Sequence, residues 1–312
     1  MKKYYVSAAI VSVTILFIYL FIPQFLNPIN VLINILVPVC ILLFFSLGMM
    51  LIMSGGGVDL SMGSTAGLCG LIGVALSSIM PSPLAIIFAL IAGAVVGSFN
   101  GALIAGLGIS PFVITLGSTF IIKGLQYIVA AISSSSGIQG TYLMVPNNMM
   151  FLSNEILIVI VSIIVSLLLF FLFELSVAGR KIQFIGINPN TSRLSGIRTR
   201  LYTVLTYIIA GVLCAIAGLF LSSLQGIVRV GLGEDQLLDS FIVPLLGAAI
   251  FNRFSIKGVV ISSFIIVVFV NLTTLLGLSI TIVQFAKGTM LIAVLIAVGI
   301  KKWISERRLV NG

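Results

Sequence analysis

The sequence predicts an all-α polytopic membrane protein of about ten transmembrane helices, and three observations carry that expectation. Of its 312 residues 60% are apolar and only 7% charged, with a mean hydropathy of +1.32, and no soluble domain of this length presents so little charge to water. Uncharged apolar stretches of about 18 residues recur along the whole chain, where a soluble protein rarely holds one. Finally, every basic residue except Lys123, Arg229 and Lys287 falls where a ten-span arrangement puts the cytoplasm.

Lys2 and Lys3 precede an apolar core of about 17 residues that has no convincing small-residue cleavage site. Residues 6–22 are therefore expected as the first span and not as a removable signal. Spans follow at 31–53, 62–80, 84–107, 111–131 and 155–175. A polar connector over 178–200 separates them from spans at 201–222, 237–251, 258–276 and 281–300. Ten crossings return both termini to the cytoplasm. The same side receives the connector with Arg180, Lys181, Arg193, Arg198 and Arg200, the turn with Arg253 and Lys257, and the tail KKWISERR. Nine or eleven crossings would break the bias, and the chain is expected to form one transmembrane domain over 1–312.

Between the second and third spans lies SGGGVDLSMGSTAG (54–67), where three glycines permit an unwound or tightly turned backbone. Asp59 there reads as the N-cap of the third span, its charge favoured by the positive helix end, or as a residue of a translocation path with Ser61. In AGAVVGSFNGALIAGLG (92–108), Gly93, Gly97 and Gly101 form a flat helical face for close helix contact, and Asn100 is placed to bond a neighbouring helix. Lys123 falls near the middle of the fifth span, and either serves the path or snorkels to an interface. For Lys287, nearer a helix end, snorkelling is the expectation. Glu234, Asp235 and Asp239 form the one acidic cluster and read as a solvated outer loop.

The stretch FIGINPNTSRLSGIRTR (184–200) stands out by its polarity. Asn188 is suited to be an N-cap, Pro189 the first helical residue and Gly196 the stop, which encloses about seven helical residues. An isolated helix needs about 12–15 residues, so something else must hold this one. A basic connector that only anchors the flanking spans at the headgroups is the plainer alternative. Such a connector has no need of caps at both ends.

Several chemistries find no support in the chain. It contains no histidine, no Gly-Lys dipeptide for a phosphate loop, and no HExxH or GxSxG. Cys40, Cys69 and Cys214 lie within apolar runs, which argues against a disulfide framework or a metal cluster. The basic excess serves orientation, so no nucleic-acid partner is expected. Intramembrane acids are too few for a proton relay. Power must come from outside the chain.

Four segments, SGGGVDLSMGS, NGALIAGLGISPFVITLGSTFIIKG, AGRKIQFIGINPNTSRLSGIRTRLYTVLTYIIAGVLCAIAGL and NLTTLLGLSITIVQFAKG, resemble the sugar-type ABC-importer permeases, the ribose, xylose, arabinose and autoinducer-2 group. The resemblance spreads over nearly the whole chain. It implies the ABC importer permease fold, a bacterial inner-membrane location, and a coupling helix carried by Asn188, Pro189, Arg193, Leu194, Ser195 and Gly196. It also implies partners: a cytoplasmic ABC ATPase that binds the ATP, a periplasmic sugar-binding protein, and a second permease subunit, identical or related. No cofactor of the chain's own is expected. Asp59, Ser61, Asn100, Lys123 and Asp239 are the candidates for path or gate.

LGISPFVITLGS and LGLSITIVQFAKG open the fifth and tenth spans, which run in opposite directions, and so suggest an inverted repeat of spans 2 to 5 and 7 to 10. The chain departs from the family in LLGAAIFNRFSIKG (245–258), which replaces a glycine-rich stretch, and in Leu237, which stands where an acidic residue is common. The expected function is the membrane subunit of an ATP-driven importer of a small sugar or sugar-like solute. A ten-span secondary transporter driven by an ion gradient is the alternative, and a membrane-embedded enzyme is disfavoured for want of a catalytic constellation.

Overall fold

The computed structural model describes residues 27–133 and 141–310, so the first expected span, with Lys2 and Lys3, lies outside the described residues. From there the chain is helical almost throughout. In order come α1 (Asn30–Ser54), α2 (Met62–Ser77), α3 (Ser82–Leu107), α4 (Pro111–Ser133), strand β1 (Tyr142–Met144) and α5 (Glu155–Leu175). Then follow α6 (Val177–Ile187), α7 (Pro189–Leu194), α8 (Thr199–Gln225), strand β2 (Ile227–Arg229), α9 (Leu237–Phe251), α10 (Ile256–Leu275) and α11 (Ile280–Val310). Among the described residues six helices are long and apolar enough to cross a membrane, namely α1, α3, α4, α5, α8 and α10, and α2 is a shorter apolar helix.

α1 is the hub. From Val37 on it has no polar face, and 89% of its most apolar stretch is buried, against 22% for α4 and α5. A helix apolar all round belongs in the middle of a bundle. Phe44, Phe45, Leu47, Met49 and Met50 are completely buried there. The outer helices instead turn side chains such as Phe120, Ile121, Ile163 and Leu168 outward, the surface that a bilayer covers. α3 crosses α8 along the small-residue face: Gly93 and Gly211 meet backbone to backbone, and a Cβ on Gly101 would stand 2.8 Å from Val204 Cα.

Two of the apolar helices are too short to cross alone. α2 has 16 residues and α9 has 15, so at 1.5 Å per residue they span about 24 and 22 Å, short of a hydrocarbon core of about 30 Å. α2 packs against α3, α4 and α8, while α9 packs against α10, α11 and α1, so the two stand in matching surroundings. The segments leading into them, residues 55–61 and 226–236, are where the helical pattern breaks.

Three local features differ from expectation. β1 and β2 pair antiparallel, with Leu143 opposite Val228, a ribbon between two connectors that periodicity does not signal. The connector over 178–200 contains an additional helix, α6, whose N-cap Ser176 accepts a 3.2 Å bond from the Gly179 N–H. α11 runs on through KKWISERR to Val310, because Lys, Arg and Glu favour helix and no breaker intervenes.

Candidate functional site

The polar rod α7 forms as its punctuation requires. Asn188 stands outside the helix at φ −154° and its Oδ1 accepts from the N–H groups of Asn190 (3.1 Å) and Thr191 (3.0 Å). Pro189 is the first helical residue, and the helix has six residues where about seven were expected. At the other end Gly196 takes φ +78°, and the Ile197 N–H reaches back to the Ser192 carbonyl at 3.0 Å. Ser195 Oγ donates to the Thr191 carbonyl. Ser192 is buried underneath, while Leu194 is 90% exposed and Arg193 stands in the open. Two neighbours that the sequence did not single out, Phe184 and Ile187, are also exposed, at 58% and 80%. Exposed apolar residues beside a basic rod were not legible in advance, because α6 was not.

α6, which leads into α7, is braced against the glycine turn that ends α1. Gly186, in the last turn of α6, lies so close to the Ser54 carbonyl that a Cβ there would overlap it. Lys181 Nζ sits 5.6 Å from the centre of the Tyr202 ring on α8. Between rod and turn is a cavity of about 280 Å³ lined by Gly55, Gly57, Pro189, Arg193, Tyr202 and Tyr207. Tyr207 donates from its hydroxyl to the Val58 carbonyl at 2.8 Å, pinning the turn to α8.

Asp59, Ser61 and Asn100 come together at the far side of that turn. The N-cap position of α2 belongs to Ser61, whose side chain caps nothing, so the expectation that Asp59 caps this helix is corrected. Asp59 instead folds back: its Oδ1 accepts from the Ser61 N–H (2.7 Å) and from the Ser61 hydroxyl (2.6 Å). Asn100 of α3 then donates to Ser61 Oγ at 2.9 Å, the bond to a neighbouring element that was expected of it. The Leu60 N–H adds a 3.1 Å bond to Thr115 Oγ1 of α4. Both Asp59 and Asn100 are buried, so the network fixes where α2 starts. Asn100 lies seven residues before the end of α3, which puts that start about 11 Å along the bundle from the α3 terminus.

From the opposite end a second broken segment descends to meet it. A Cβ on Gly63 would stand 2.8 Å from the Gly233 carbonyl oxygen, and one on Gly233 would stand 3.0 Å from the Gly63 oxygen. Gly233 has φ +90°, a conformation that glycine adopts without strain. Gln126 of α4 locks the junction, donating to the Ser64 carbonyl (2.6 Å) and accepting from the Gly231 N–H (2.8 Å). Lys123 reaches Glu234 at 3.0 Å, with 36% of each side chain exposed. It is thus tied to the descending segment and does not stand alone within a span.

The acidic cluster is not one solvated loop. Asp235 is exposed beside Arg229, Glu234 pairs with Lys123, and Asp239 is buried in the first turn of α9. There Lys287 Nζ of α11 donates to Asp239 Oδ2 at 2.6 Å. Lys287 is buried too, so the expectation of snorkelling is overturned: a carboxylate one helix away holds the ammonium inside. Nothing local to either sequence segment announces the pair.

Among the described residues no group of His, Cys, Asp and Glu is arranged to hold a metal ion. The geometry is that of helices broken and rejoined around polar contacts, with a capped rod at one end.

Comparison with known proteins identifies the family. Residues 31–297 match the family model described as the permease component of branched-chain amino acid transport systems. The autoinducer 2 import system permease protein LsrD of Escherichia coli O157:H7 is 28% identical over 278 residues, 84% of each chain. The protein of the same name from Enterobacter sp. (strain 638) is 31% identical over 223 residues, 70% of this chain and 68% of its own. That of Yersinia enterocolitica is 28% identical over 280 residues, again 84% of both. No solved structure matches significantly. The chain belongs to this family of transport-system permeases and is an integral membrane protein.

Proposed function

We propose, with that family membership as the premise, that the chain is the membrane-spanning subunit of an ATP-binding-cassette importer for a small sugar or sugar-like solute. A separate cytoplasmic ATPase drives it, a periplasmic binding protein delivers the cargo, and a second permease subunit, identical or related, completes the pore. The relatives named for import of autoinducer 2 support a small solute as the cargo. The chain crosses the bacterial inner membrane ten times with both termini in the cytoplasm. The matching surroundings of α2 and α9 support an inverted repeat.

One observation carries the coupling role: α7 is capped at both ends, rests on the glycine turn through α6, and offers Leu194 and Arg193 outward. A six-residue rod held between α6 and the long α8 transmits a displacement that a slack loop would absorb. Movement of α7 is passed through Gly186 to residues 54–57, and from there to the contact between Gly63 and Gly233. In this arrangement Asp59, Ser61 and Asn100 are the rigid joint of the gate, and Lys123 and Asp239 hold its outer half.

The test is co-purification of the ATPase with the permease complex, followed by solute uptake in proteoliposomes. Changing Arg193 and Leu194 together to Asp should release the ATPase and abolish uptake while the permease stays monodisperse. Uptake driven by an ion gradient alone, with no ATPase present, would overturn the assignment.

A further inference from the structure

A second cavity, of about 430 Å³, lies between α1, α8, α9, α10 and α11 at the end of the bundle away from α7. Its size falls in the range of about 300–1,000 Å³ that small-molecule sites occupy. The polar part of the lining is Asn30, Asn34, Gln236, Asp239, Asn271 and Lys287. The rest of the lining is largely aliphatic and includes Val37, Ile41, Leu42, Ile266 and Val270.

Hydrogen-bonding capacity is concentrated here beyond what the fold consumes. Asn30 and Asn271 exchange reciprocal amide bonds of 3.2 Å, and Asn34 donates to Asn30 Oδ1 at 3.0 Å. Lys287 has three N–H donors, of which Asp239 takes one. Asp239 Oδ1, itself shut off from solvent, has no hydrogen-bond partner among the described residues, so the fold leaves one carboxylate acceptor unused beside the cavity. Yet the cavity carries no net charge, since its one acid and its one base neutralise each other. An ion entering would lose its hydration and find no unpaired opposite charge. A neutral polyol, by contrast, exchanges water for amide and carboxylate partners and lays its C–H face on the aliphatic lining. No aromatic ring is among the described lining residues, so the stacking that tightens sugar binding is missing. Occupancy should be brief, as a conduit requires.

We infer that this cavity is a weak binding site for a neutral polyhydroxylated solute, entered from the end of the bundle opposite α7. The inference rests on the importer reading for its purpose, but its test requires no transport. In full-length protein in lipid nanodiscs, with Cys40, Cys69 and Cys214 replaced by Ala, Val270→Cys places one thiol in the aliphatic lining. Its alkylation by the uncharged reagent N-ethylmaleimide is followed with D-ribose and with D-gluconate. A Kd of about 2 mM gives roughly tenfold slowing at about 20 mM D-ribose, while D-gluconate, charged, gives none. Protection should fall at least by half in Asn271→Leu and in Gln236→Leu, the latter at a half-buried position. Each variant is compared only as a monodisperse species. Absence of slowing, equal slowing by D-gluconate, slowing that follows the nanodisc lipid and not the sugar, or undiminished protection in both variants overturns the inference. Protection that persists although the Arg193 and Leu194 changes leave uptake intact would sink the coupling assignment and keep this site. The opposite pattern would do the reverse.

Discussion

Lys287 and Asp239 meet at 2.6 Å across α11 and α9 with only 9% and 8% of their side chains exposed. A buried pair of this kind contributes less by its attraction than its loss would cost, because removing one partner strands the other charge out of water. Lys287→Met should therefore destabilise the protein by about 3–5 kcal/mol. The double variant Lys287→Met with Asp239→Leu should recover most of that loss, as replacement of whole buried pairs by apolar residues often does. Thermal melting of the three proteins in detergent, read by gel filtration, gives the comparison. A single variant as stable as the parent would mean that the pair is solvated after all.

The cap of α7 predicts a different kind of loss. Asn188 Oδ1 satisfies two N–H groups at once, so Asn188→Ala should cost about 1 kcal/mol, all of it local to the rod. Uptake should drop several-fold with little change in melting temperature. Asn188→Asp, which keeps the accepting oxygen, should restore it.

Gly186 offers a steric test of the route from rod to turn. Because a Cβ would overlap the Ser54 carbonyl, Gly186→Val must push α6 off the end of α1, at about 1–3 kcal/mol. The ATPase should still bind, since α7 is intact, but its hydrolysis should no longer be accompanied by uptake. Gly196→Ala changes the other end, where φ is +78° and nothing lies within reach of a Cβ, and should act only by fraying the rod.

The side of the membrane that holds α7 is open to direct measurement. Ser195→Cys in a background with Cys40, Cys69 and Cys214 replaced should react with a membrane-impermeant maleimide only in broken cells or inverted vesicles. Labelling in intact cells would place the rod outside and remove its ATPase partner.

Some of this was written locally in the chain. Apolar runs from residue 31 onward became helices with shifts of a few residues, since a run of that length has no other way to satisfy its backbone in lipid. The caps of α7 formed where Asn188, Pro189 and Gly196 stand, because capping acts within one helical turn. The glycine face of α3 was readable for the same reason: its spacing is that of the helix itself.

What the sequence could not decide was who faces whom. A helix apolar on every side, as α1 is from Val37 on, carries no mark of its neighbours, and the hub of the bundle emerged only from the packed whole. The partners Lys287 and Asp239 lie 48 residues apart, and Gly63 meets Gly233 from the other half of the chain. Polar groups inside lipid must find each other at any sequence distance, because no water is there to take their place. Local chemistry therefore determined the helices and the rod, and only the tertiary structure decided the joint, the buried ion pair and the amide-lined cavity.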